Sequence, residues 1–218
     1  PLVSGLGFES QPDHNMFLQV HPENPNPRHI KMILECLEDD GVIIFPTDTI
    51  YGIGCSIRSN KAFERIAQIK GIKKEKAHFS FIFNDLSQLS EFTKPINNDV
   101  FKLMRRNLPG AFTFILEANN NIPKIFQSKR KTIGIRIPNQ PIITNIVKEL
   151  GCPIMTTSIL DEDEISGFLT DPEEINEHYK DRVDIIIDGG YGDNQESTIV
   201  DCTENEVLIT RQGKGILE

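Results

Sequence analysis

One turn in this sequence crowds together groups that do chemistry: Pro46-Thr47-Asp48-Thr49-Ile50-Tyr51-Gly52-Ile53-Gly54. It follows the apolar run 42–45, which reads as a buried strand, and Pro46 stops that strand. Functional clefts in open α/β sheets lie beyond the carboxyl ends of strands. Two hydroxyls, a carboxylate and a phenol at such a place suit a small polar ligand, and the glycines allow close backbone approach. The same residues also suit an ordinary turn, in which Thr and Asp cap backbone groups.

Four further segments carry groups of the same kind. Lys70-Gly71-Ile72-Lys73-Lys74-Glu75-Lys76-Ala77-His78 sets four lysines after a helix, in a chain of net charge -9. Flexible ammonium groups suit a polyphosphate, and equally suit a solvated helix C-terminus. His78 reads as a surface or capping histidine. Lys129-Arg130-Lys131 lead into a strand where Arg136 interrupts an apolar run. Alternation turns Arg136 away from Ile135 and Ile137, free to fork onto a carboxylate or phosphate or to form an ion pair. Met155-Thr156-Thr157-Ser158 again puts hydroxyls at a strand end. No G-x-S-x-G elbow surrounds Ser158, so it reads as a hydrogen-bonding group rather than a nucleophile. Ser197-Thr198-Ile199-Val200-Asp201 and Arg211-Gln212-Gly213 complete the set, with a plain hairpin as the bland alternative.

The elements that must position these groups can be read from periodicity. Ile30, Ile33, Leu34 and Leu37 make one helix face after Pro27. Ser59 or Asn60 caps a second helix with Phe63, Ile66 and Ala67 inward. Val100, Phe101 and Met104 group on another, and Ile142, Ile143, Ile146 and Val147 on a fourth, closed by Gly151. Asp171-Pro172-Glu173-Glu174 is a helix start. Strands are expected at 17–20, 42–45, 51–57, 79–83, 111–117, 131–137, 153–157, 183–187, 197–201 and 207–210. Strands and helices interleave without strict alternation. The fold class is therefore α/β, bordering on α+β, with a mixed, twisted, open sheet.

The 218 residues, 38% hydrophobic and 25% charged, suit one domain that buries a core. Residues 1–15 lack periodicity and are expected to be an extraneous leader or a loose arm, leaving 16–218 as a single domain. No apolar run approaches the roughly 20 residues of a membrane span, and no signal segment opens the chain. The expected location is the cytoplasm. Cys36, Cys55, Cys152 and Cys202 lack metal-ligand spacing and are expected to be buried thiols, with no metal site. The acidic balance disfavours broad nucleic-acid binding, which rests on phosphate neutralisation. No Walker A, Rossmann fingerprint or H-E-x-x-H occurs. The chemistry has to come from scattered groups converging on one cleft.

In this order the segments resemble the YrdC-like family, the threonylcarbamoyl-AMP synthases. The matching motifs are P-T-D-T-I-Y-G at 46–52, I-K-G at 69–71, L-P-G-A-F-T at 108–113, G-I-R-I-P at 134–138, T-T-S at 156–158, and S-T-I-V-D at 197–201 with the later Arg211-x-Gly213. The resemblance spans 16–213 and implies a large concave cleft. It implies a nucleotidyltransferase that joins L-threonine, bicarbonate and ATP into threonylcarbamoyl-AMP and releases pyrophosphate. Mg²⁺ would bridge phosphate oxygens. Another protein passes the product to adenosine 37 of certain tRNAs. Thr47, Thr49, Tyr51 and Arg136 are implied near the amino acid. Lys70, Thr113, Ser158, Ser197 and Arg211 are implied near the nucleotide, with Lys70, Arg136 and Ser158 as the catalytic set.

Two positions depart from that pattern. Ile72 stands where the family's Lys-x-Arg keeps its arginine, and Leu160 where Ser-x-Asn keeps its asparagine. Both match a YciO-like branch, as do H-P-E-N-P at 21–25, R-K-T-I-G-I-R-I-P at 130–138, T-D-P-E-E-I at 170–175 and D-G-G-Y at 188–191. Losing a bidentate arginine beside phosphate is not a mild change. The alternative expectation is a non-catalytic module of the same fold that binds double-stranded RNA or tRNA through its lysines. The sequence leaves the oligomeric state open.

Overall fold

The computed structural model describes residues 15–71, 79–123, 131–159, 169–204 and 206–218. Among them, ten strands form one sheet: β1 Met16–Gln19, β2 Ile43–Phe45, β3 Gly52–Ser56, β4 Ser80–Ile82, β5 Phe112–Glu117, β6 Thr132–Arg136, β7 Ile154–Ser158, β8 Ile185–Asp188, β9 Thr198–Asp201 and β10 Leu208–Arg211. Their order is β1-β8-β2-β3-β7-β4-β6-β5-β9-β10. The β1–β8, β8–β2, β4–β6 and β5–β9 pairs are parallel and the rest antiparallel. The expected mixed sheet is what forms, with its right-handed twist set by backbone sterics.

The helices start where their caps sit. In α1 (Pro27–Glu38) the Asn26 side chain accepts from Arg28 N, and Pro27 opens the first turn. Ile30, Ile33 and Leu37 are buried, while Leu34 is half-buried. In α2 (Asn60–Ile69) it is Ser59 that caps, accepting from Ala62 N at 3.0 Å. A 3-10 turn at Leu86–Gln88 leads into the short α3 (Leu89–Phe92). Asn97 caps α4 (Asn98–Asn107) and Gln140 caps α5 (Pro141–Leu150), which ends at Gly151 with φ +70°. Asp171 caps α6 (Pro172–Tyr179). One expectation fails in α4. Val100 and Met104 are buried, but Phe101 is 39% exposed. Successive helical residues point about 100° apart, so the i, i+4 pair shares a face that Phe101 cannot.

Two adjacent rows across the sheet set the architecture of the site. The register aligns Cys55, Met155, Phe81, Ile135, Phe114 and Val200. All six are buried, at 1% exposure or less. They face the core, with α1 packed on β3 and α5, α2 on β3, and α6 on β8. One residue along, the register aligns Gly54, Thr156, Ser80, Gly134 and Ile115. Side chains alternate across a strand, so this row faces the other way. Small and hydroxyl side chains fill it from Gly54 to Gly134, and Ile115 closes it. A Cβ at Gly134 would stand 3.0 Å from Thr113 Cγ2 and 3.1 Å from Ser80 Oγ. One face of the sheet is a hydrophobic core, and the other carries this strip of small and polar residues as a low floor, bordered by the buried Phe45, Ile82 and Ile154.

Candidate functional site

Two clusters of hydroxyl and guanidinium groups stand over that floor. The first comes from the turn between β2 and β3 and the end of β6. Thr47 Oγ1 donates to Ile50 O at 2.8 Å and accepts from Thr49 N at 3.0 Å. With its own hydrogen committed, Thr47 accepts the hydrogen of Thr49 Oγ1, 3.0 Å away. Thr49 Oγ1 in turn accepts from Arg136 Nη2 at 2.8 Å. The same Nη2 lies 3.3 Å from Asp48 Oδ1, and Asp48 Oδ2 accepts from Asn139 N at 2.8 Å.

Arg136 is the electrostatic centre of this cluster. Its side chain is 12% exposed. Burial pulls its pKa down, Asp48 pushes it back up, and the charge of Arg211 lowers it again. A guanidinium stays protonated under such shifts. Its Nε is buried and has no hydrogen-bond partner among the described residues. A buried N–H left unpaired is costly, so this donor marks a place for an acceptor.

The second cluster joins the start of β5, the start of β9 and the end of β10. Thr113 Oγ1 and Ser197 Oγ are 2.8 Å apart and both buried. Arg211 donates to Ser197 O from Nε at 3.2 Å and from Nη2 at 3.0 Å, and Nη2 reaches Ser197 Oγ at 3.3 Å. Glu196 Oε1 holds Arg211 Nη1 at 2.7 Å. Carboxylates thus hold both arginines; every nitrogen of Arg211 is engaged by Glu196 or Ser197, while Arg136 keeps its Nε open.

The other residues singled out in the sequence take different places. The Tyr51 hydroxyl donates to Gly190 O at 2.6 Å and accepts from Gly189 N at 3.2 Å. Its buried ring lies where a Cβ on Gly192 would meet it at 2.7 Å. Tyr51 therefore backs a wall of the polar cavity of about 500 Å³ lined by Thr47, Asp48, Thr170, Gly192, Asp193 and Lys214. Ser158 ends β7 opposite Gly52 and is half-buried. Lys70 is the C-cap residue of α2 and buried. Ile72, Lys73, Lys74, Lys76, His78, Lys129, Arg130, Leu160 and the acidic loop 161–167 lie outside the described residues. Among the described residues no group of three His, Cys, Asp or Glu can hold a metal ion. None of their helices is long and apolar enough to cross a membrane.

Sequence reasoning did not single out Glu196, Ser80 or Lys214. Glu196 adjoins Ser197, and alternation placed Ser80 on the open face of its strand, so both were in principle readable. Lys214, between two glycines, carries no pattern at all.

Comparison with known proteins gives the relatives of the chain. The family model Sua5_yciO_yrdC, described as Telomere recombination, matches residues 35–213. The Escherichia coli protein YciO is 38% identical over 92% of this chain and 97% of its own length. Its crystal structure superposes with a TM-score of 0.86, covering 93% of this chain and 97% of that one. A Bacillus subtilis threonylcarbamoyl-AMP synthase is 30% identical over 90% of this chain and 57% of that protein. The crystal structure of P. abyssi Sua5 complexed with L-threonine is 25% identical, with a TM-score of 0.81 over 91% of this chain and 58% of that one.

Proposed function

The chain belongs to the Sua5–YciO–YrdC family, in its YciO branch, and on that premise we propose that it is a nucleotidyltransferase making threonylcarbamoyl-AMP from L-threonine, bicarbonate and ATP. The relatives named threonylcarbamoyl-AMP synthase supply the reaction, and the L-threonine complex of P. abyssi Sua5 the amino acid. The observation that carries the reading is the unpaired, buried Nε of Arg136 beside Thr49. A planar donor of this kind matches a carboxylate.

In this reading the amino-acid carboxylate takes Arg136 Nε, with Thr47 and Thr49 ordering the approach and Tyr51 supporting the wall behind. The amine and bicarbonate condense to a carbamate with loss of water. A carbamate oxygen then attacks the α-phosphorus, and the bond to the β-phosphate oxygen breaks to release pyrophosphate. Thr113, Ser197 and Arg211 take phosphate oxygens, joined by Lys70 and Ser158. The site acts by alignment and by charge stabilisation rather than by a covalent intermediate. Mg²⁺, if carried in with ATP, would offset phosphate charge beside Thr113, Ser197 and Arg211. The product is consumed in the cytoplasm by a protein that modifies tRNA. Pyrophosphate release from ATP that depends on both L-threonine and bicarbonate tests the reading. Release no greater than that of Arg136→Ala defeats it.

A second reading, RNA binding without turnover, draws on α4. Lys102, Arg105 and Arg106, with Asp99, line a surface cavity of about 630 Å³ in an otherwise acidic chain. It predicts salt-dependent affinity for structured RNA that falls in Arg105→Ala/Arg106→Ala. Affinity indifferent to both salt and these changes rejects it.

A further inference from the structure

Lys214 touches both clusters by different parts of itself. Its ammonium donates to Asp48 O at 2.7 Å and pairs with Asp193 Oδ2 at 2.7 Å. Asp48 is the carboxylate that holds Arg136. Asp193 N in turn donates to Thr49 O at 3.2 Å, closing a ring around the first cluster. The backbone of Lys214 faces the second cluster, where its N–H donates to Glu196 O at 2.9 Å. Glu196 is the carboxylate that holds Arg211. Gly213 N and Gly215 O both bond Thr198 Oγ1, at 3.0 and 2.6 Å, so the segment carrying Lys214 is pinned on either side of it. The side chain is 39% exposed at the cavity wall, and so is not held there by burial.

We propose that Lys214 is a positioning residue that couples the two clusters, so that filling one tightens the hold of the other. A ligand at Arg136 draws on Asp48, and Asp48 is fastened through Lys214 to the segment that orients Arg211. The reverse path is the same set of bonds, as reciprocity between linked sites requires. The neighbouring charge agrees with this geometry: the Lys214 ammonium holds the Asp193 carboxyl below its ordinary range. Choosing ATP and L-threonine to read the coupling rests on the function proposed above. The bonds themselves do not.

The test therefore has two arms, each run on the wild type, Lys214→Met and Lys214→Arg. The first needs no ligand: Asp193 is titrated by carbon NMR, and amide exchange is followed at positions 193 and 214. Lys214→Met is expected to return Asp193 toward its ordinary range and to speed exchange at both amides together. Lys214→Arg is expected to restore both. An unchanged Asp193, or faster exchange at position 193 alone, makes Lys214 a local ion pair and overturns the proposal. The second arm is calorimetry of L-threonine with and without an ATP analogue whose α and β phosphorus atoms are joined by methylene. The wild type is expected to bind threonine about fivefold or more tightly with the analogue present. Lys214→Met is expected to lose that gain, whatever its affinity for each compound alone. A gain that survives in Lys214→Met overturns the coupling. If the wild type binds neither compound, the proposed function fails, and the first arm alone decides the role of Lys214.

Discussion

Arg136 donates to Thr49 across 87 residues of sequence, at 2.8 Å, while its Nε waits unpaired in the same buried place. The bond fixes the guanidinium plane, so the direction of the open donor is set before a ligand arrives. Replacing Arg136 by Lys keeps the charge and loses the fork. We expect Arg136→Lys to lower threonine-dependent pyrophosphate release by about two orders of magnitude, the scale for one preorganised donor. Steady-state kinetics beside a thermal melt reads it. Near-normal kcat/KM with an intact fold would mean that charge alone suffices.

The Thr113–Ser197 pair carries a separate prediction for the proposed nucleotide side. Thr113→Val keeps the shape and removes one hydroxyl from a buried bond of 2.8 Å. Its neighbour keeps Arg211 as a partner, so the stability cost should stay near ~1 kcal/mol. KM for ATP should rise while that for L-threonine holds. A change confined to the L-threonine KM would reverse the assignment of the two clusters.

Glycines on the sheet test the floor. A Cβ at Gly54 would stand 2.4 Å from Met155 O, which is backbone of the neighbouring strand. Gly54→Ala should lose about 1–3 kcal/mol in urea denaturation, the cost of overpacking. At Gly134 the nearest atoms are the side-chain ends Thr113 Cγ2 and Ser80 Oγ, at 3.0 and 3.1 Å. Gly134→Ala should therefore fold with a smaller loss but raise KM. Equal stability losses in the two variants would contradict the difference between the positions.

Alkaline pH should unfold the protein from within its core. Burial pushes the Cys36 thiol up to about 12, Tyr51 up to about 12 and Cys202 up to about 11. Each folded-state pKa lies above its unfolded value. The stability these groups contribute is complete below about pH 9, the ordinary thiol range, and is lost as pH rises toward 12. Each group ionised only in the unfolded chain steepens the fall by about 1.4 kcal/mol per pH unit. Denaturation midpoints between pH 8 and 11 measure it, and Tyr51→Phe should flatten the portion above pH 10. A stability that rises over this range would refute the burial of these groups.

Much of the fold was legible because the core writes itself locally. Ile30, Ile33 and Leu37 recur at helical spacing, and Ser59 and Asp171 cap the helices they precede. Phe101 misled because an apolar side chain next to a buried face reads as part of it. The candidate site was legible in its types: Thr47, Thr49 and Arg136 do converge, as do Thr113, Ser197 and Arg211. Their partners were not. Asp48 reaching Arg136 and Lys214 reaching Asp48 are contacts between distant segments, set by the order of strands in the sheet. No local pattern encodes a lysine between two glycines as a bridge.

The two arginine clusters draw on segments at 47–49, 113, 136, 196–197 and 211–214, contributed by both sides of the central strands. A break between α5 and β7 would leave Thr49 and Arg136 on one piece and Ser197, Arg211 and Lys214 on the other. Neither piece would own a working site. Function would reappear only as the two reassociate along β1–β8, β2–β8, β3–β7, β4–β7 and β5–β9, so activity of a split chain would count reassembled sheets one by one.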